Sequence, residues 1–116
     1  MVDGGDQPSP DVSADPHEHQ RRVAVAAARA AEAMGASDIV VLDVAEVTAV
    51  ADFFVIASGR SDRQVGAIVD EVERRLRDDE DVRAVSKEGA EGRSWVLLHF
   101  GGIVVHVFAE EMRAFY

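Results

Sequence analysis

The stretch from Trp95 to Phe108 limits the possible folds most. Trp95-Val96-Leu97-Leu98-His99-Phe100 and Ile103-Val104-Val105-His106-Val107-Phe108 are apolar, β-branched-rich runs on either side of Gly101-Gly102. Glycine reaches the positive φ angles of tight primed turns without steric cost, so the stretch reads as a β-hairpin with a two-residue loop. A loop of that length fixes the register. It sets Phe100 opposite Ile103, Leu98 opposite Val105 and Val96 opposite Val107, six hydrophobic side chains on one core face. Trp95, Leu97, His99, Val104, His106 and Phe108 share the other face. Large aromatic and aliphatic groups beside two histidines are what protein-interface anchors look like. The alternative is that a helix of the same chain covers them.

A chain of 116 residues is one domain with one core. Having no cysteine, it cannot form a disulfide framework, use a thiolate nucleophile or bind zinc through cysteine. The first thirty residues lack the apolar core of a signal peptide and no apolar run is long enough to span a bilayer, so a cytoplasmic location without membrane contact is expected. The net charge of -10 repels phosphate backbones, which disfavours direct nucleic-acid binding unless the arginines cluster on one face. A basic protein partner suits it better.

Residues 1–16 carry all three prolines, four aspartates and no Lys or Arg, and read as a disordered acidic tail. The domain is then 17–116. From His17 to about Met34, Val23, Ala27, Ala30, Ala31 and Met34 keep helical spacing, with Gly35 as C-cap. Residues 39–44 and 52–59 are continuous apolar runs suited to strands buried on both faces, with a helical turn over 45–50 between them. Ser61 and Gln64 have capping-box spacing ahead of Val65, Ile68, Val69, Val72 and Leu76 at helical period. Residues 82–87 read as an edge strand, 89–92 as a turn and 109–115 as a short last helix.

Three groupings could carry chemistry. Gly59, Arg60, Ser61 and Arg63 form a strand-to-helix turn whose amides and guanidinium groups could hold an anion, although helix capping needs the same residue types. A nucleotidyl-transfer enzyme using that turn would also need paired carboxylates for divalent metal, whereas Asp43 and Asp52 lie on different segments. His99 and His106 are diagonal neighbours on the hairpin, and Glu110 is a conceivable third zinc ligand, but two histidines without such support usually serve structure. No metal site is therefore expected. His17 and His19 are expected to face solvent.

The blocks Asp38 to Val44, Ala51 to Gly59 with Ser61, Arg63, Gln64 and Val65, Glu88-Gly89, Trp95, Gly101, Val105 to Phe108 and Arg113 to Tyr116 together resemble the ribosomal silencing factor family (RsfS, also called Iojap). The resemblance implies a single α/β domain: a mixed sheet of about five strands flanked by helices, nucleotidyltransferase-like but without catalytic residues or cofactor. It further implies a homodimer that binds uL14, the fourteenth protein of the large ribosomal subunit. That contact blocks subunit joining and represses translation under nutrient limitation. The family's tryptophan falls on Trp95, so Trp95, Leu97, His99, Phe100, Met112 and Phe115 are the expected partner-binding residues. Where the family usually has Asp, Tyr, Gly, Asp, this chain has His99-Phe100-Gly101-Gly102, which removes two negative charges beside that surface. The family's closing Leu-Glu and Trp segment is not present after Tyr116, so part of the dimer contact is expected to differ.

Overall fold

Helix α1 (Pro16–Ala33) starts one residue before the expected boundary, because the Asp15 side chain accepts from the His17 N–H at 3.0 Å and Pro16 occupies the first turn. Proline is tolerated there because its missing N–H would have had no helical partner. The computed structural model describes residues 15–115, so residues 1–14 of the acidic segment and Tyr116 lie outside the described residues. At the other end of α1, Gly35 takes φ +80° and its N–H bonds the Glu32 carbonyl, as expected of a C-cap.

Five strands form one mixed sheet: β1 (Ser37–Asp43), β2 (Phe53–Gly59), β3 (Ser86–Glu88), β4 (Trp95–His99) and β5 (Ile103–Ala109), in the order β1-β2-β5-β4-β3. Only β2 and β5 run parallel; the other neighbours are antiparallel. Helix α2 (Asp62–Glu80) follows β2 directly, and the four-residue α3 (Glu110–Arg113) follows β5.

Hairpin pairing puts Val96 against Val107 and Leu98 against Val105, with the Phe100 N–H bonded to the Ile103 carbonyl, the register expected from the two-residue loop. Of the two loop glycines only Gly101 has a positive φ, +85°, as in a type II′ turn. Gly102 answers a different demand: a Cβ there would overlap the Gln20 side chain of α1. The hairpin core face joins Phe53, Val55 and Ala57 of β2 under Val23, Ala24, Ala27, Ala30 and Ala31 of α1 and Val65, Ile68, Val69, Val72 and Leu76 of α2. Small residues let α1 approach the sheet closely, and the resulting core is a single layer between the helices and one sheet face.

Three expectations are corrected. β1 is not buried on both faces but forms an edge, with Val40, Val41 and Leu42 among the exposed hydrophobics, Leu42 at 42%. A continuous apolar run has the same appearance in a central strand and in an edge strand whose side chains are left for another surface. β2 is not buried along both faces: on the side away from the helices Phe54 and Ile56 are half-buried, and only Ser58 there is fully buried. The other edge strand begins at Ser86 rather than 82, because the Val82 N–H closes the end of α2 on the Leu76 carbonyl and the chain reaches the sheet only at Val85, whose N–H donates to the His99 carbonyl.

Candidate functional site

Both long helices pack on one side of the sheet, so the opposite side is not covered by either. Cross-strand partners share a face, and the register therefore assembles this second surface from Val40 and Leu42 of β1, Phe54 and Ile56 of β2, Val104, His106 and Phe108 of β5, and Trp95, Leu97 and His99 of β4. Trp95, Leu97, His99 and His106 are each partly exposed, while Val104 and Phe108 are buried beneath them. The aromatic groups form one assembly. Trp95 stacks on Phe108 at 4.9 Å between ring centroids and Phe54 meets His106 at 4.9 Å. Such a group of rings removes much apolar area from water when covered, which is how interface anchors contribute.

The Trp95 indole Nε1–H donates to His106 Nδ1 at 3.3 Å. An indole nitrogen only donates, so Nδ1 is the acceptor and the neutral ring carries its proton on Nε2. That Nε2 is buried and has no hydrogen-bond partner among the described residues. Burial, with His99 nearby as a second cause, pushes the His106 pKa below the ordinary histidine value. His106 is thus held neutral by its place in the sheet.

Of the expected partner-binding residues, Trp95, Leu97 and His99 share this face. Phe100 does not. It is 6% exposed in the core, the consequence of its odd-even alternation with His99 at the hairpin end. Met112 is partly exposed and Phe115 is 78% exposed on the segment that follows β5. That segment is anchored by Arg113, whose guanidinium donates to Ser58 Oγ at 2.6 Å and to the Asp38 carbonyl at 2.8 Å, on the β1–β2 side of the sheet. The residues that the sequence reading missed are Phe54 and Ile56. Their alternation with buried Phe53 and Val55 was the available signal.

The Gly59–Arg63 turn is explained by capping. Ser61 Oγ accepts from the Gln64 N–H at 3.1 Å, and Gln64 Oε1 accepts from the Arg60 N–H at 2.6 Å. The Gln64 amide nitrogen also donates to the Met34 and Gly35 carbonyls, tying the end of α1 to the start of α2. A Cβ on Gly59 would press on Val65, so close helix–strand packing accounts for that glycine. Arg60 and Arg63 are exposed beside the turn.

The remaining histidines have partners of their own. Glu110 accepts from Ser37 Oγ at 3.0 Å, and His99 lies 3.9 Å from Glu88, so His99, His106 and Glu110 are engaged separately rather than gathered as ligands. His17 does not simply face solvent. Its Nε2 is 3.0 Å from Asp43 and its Nδ1 3.4 Å from Asp52, and its ring stacks on Phe53. The antiparallel pairing of β1 with β2 brings the two aspartates together, and this imidazole, distant from both in sequence, bridges them. The hydrogen bond with Asp43 is the main reason its pKa is raised above the ordinary value, with a further contribution from Asp52 against an opposing desolvation.

Known proteins resemble this chain in sequence and in fold. Residues 16–116 match the family model described as ribosomal silencing factor during starvation. The chain is 37% identical over 98 residues to the ribosomal silencing factor RsfS of Bacillus subtilis, covering 84% of this chain and 82% of that protein. It is 35% identical to the chloroplastic protein Iojap of Zea mays in an alignment that covers 100% of this chain and 50% of that protein. A crystal structure of a Chromobacterium violaceum protein superposes with a TM-score of 0.79 at 33% identity, covering 83% of this chain and 79% of that one.

Proposed function

The chain belongs to the ribosomal silencing factor family, and from that premise we propose that it binds ribosomal protein uL14 on the large subunit and blocks joining of the small subunit. The observation that carries this reading is the helix-free sheet face, where Trp95, Leu97 and His99 stand partly exposed over Phe108 and His106. Occlusion needs a rigid surface and no reacting group. Strand-borne anchors with stacked supports meet that need, since little side-chain entropy remains to be lost on docking. The protein acts by occupying space, without catalysis or cofactor, in the cytoplasm.

Two copies associate in this reading, and the exposed Val40, Val41 and Leu42 on the β1 edge supply an apolar surface for that contact. A ribosomal protein that neutralises rRNA is basic, which suits a chain of net charge -10. Co-sedimentation with purified large subunits tests the docking face: Trp95→Ala should weaken binding by on the order of 2 kcal/mol while the melting temperature stays close to that of the unaltered chain. Unchanged co-sedimentation would rule out this face as the contact.

A further inference from the structure

The side of the molecule opposite the aromatic face carries a different chemistry. Between α1 and α2 lies a groove of about 450 Å³ lined by Arg21, Arg22 and Arg29 of α1 and Arg75 of α2, with Glu18 and Glu80 at its wall. Arg21 pairs with Glu18 at 3.3 Å and Arg75 with Glu71 at 3.1 Å. Arg22 and Arg29 have no carboxylate partner among the described residues; Arg22 contacts only the His19 ring. They are seven residues apart, two turns along one helix face and about 10 Å in rise. In a chain with 22 acidic and 12 basic residues, carboxylates are plentiful, yet these two exposed guanidinium groups, on one face of α1, form no ion pair among the described residues.

Net charge argued against nucleic acid only while the arginines were dispersed, and the fold gathers four of them in one groove. We propose that this groove takes the phosphate backbone of RNA, with Arg22 and Arg29 as the principal contacts. A guanidinium group presents a planar fork of donors that matches phosphate oxygens, and it is more weakly hydrated than a lysine ammonium. Because groove and aromatic face lie on opposite sides of the sheet, occupying one leaves the other open. The source of the RNA, the ribosome, rests on the function proposed above; the phosphate chemistry does not.

The test is the affinity of the full chain for purified large subunits over a series of salt concentrations, with a gel shift on protein-free large-subunit RNA beside it. Each phosphate contact adds about 0.7–0.9 to the slope of log affinity against log salt, so Arg22→Gln with Arg29→Gln should lower the slope by about 1.5. The same pair should weaken binding roughly thirtyfold near 0.1 M salt, the 1.5 change in slope taken over the one decade below 1 M. Arg22→Lys with Arg29→Lys should keep most of the slope, and Trp95→Ala should weaken subunit binding at every salt without changing it. An unchanged slope and affinity in the glutamine pair would overturn the proposal. If the unaltered chain fails to bind subunits, the uL14 reading falls and the RNA gel shift decides the groove alone. There, equal binding by the glutamine pair, or competition by polyglutamate but not by RNA, would overturn it.

Discussion

Trp95 Nε1 donates to His106 Nδ1 across the β4–β5 pair at 3.3 Å, so the orientation of the indole is set by a neighbour on the adjacent strand. The bond requires a neutral imidazole, since a protonated ring would present a second N–H to the indole donor. The surface proposed to dock is therefore conditional on the charge state of a residue beside it.

That dependence has a sign. The His106 pKa is lowered, so its contribution to stability is fully present above pH 6.5, the ordinary value, and is lost as pH falls through the depressed folded value. The His17 pKa is raised, so its contribution is present below 6.5 and is lost as pH rises through the elevated value. In NMR the His106 ring protons should titrate with a midpoint below 6.5 and those of His17 with one above it. The Trp95 fluorescence should follow only the lower one. A Trp95 signal that tracks the higher midpoint would contradict the assignment.

Gly89 supports the same site from behind. Its φ is +82°, and a Cβ there would collide with the Trp95 backbone carbonyl. Gly89→Ala should cost about 2 kcal/mol and displace the start of β4. Gly92→Ala, in open space and without a positive φ, is the control and should leave the melting curve unchanged. Equal melting temperatures and unchanged Trp95 fluorescence in the two variants would remove this support.

Ser58 is completely buried on the side away from the two long helices, where Arg113 of α3 donates to its hydroxyl. Arg113→Ala leaves that hydroxyl without its partner and frees the Asp38 carbonyl, at a cost of about 1–3 kcal/mol. Thermal unfolding should show the loss, and hydrogen exchange should show faster opening of 110–115 than of β5. Uniform exchange would mean that α3 is held by something else.

The hairpin and its two faces were legible in the sequence because a two-residue glycine loop leaves one register, and strand alternation then assigns every side chain. Phe100 shows where that reading must be applied consistently, since the same parity that places His99 outward places Phe100 in the core. The position of β1 was not legible. Sheet order depends on the crossover made by α2, and nothing local to residues 39–44 encodes it. The Asp43–His17–Asp52 cluster was equally hidden, because its members are separated by 26 and 35 residues and meet only when α1 docks on the sheet.

Subunit joining tests the central claim most directly. Purified large and small subunits are mixed with the protein and resolved on a sucrose gradient. The account predicts that the joined-ribosome peak falls in proportion to added protein, with the chain migrating on large subunits, and that Trp95→Ala largely restores the peak. A joined peak that the unaltered chain does not diminish, or that Trp95→Ala diminishes just as strongly, would contradict it.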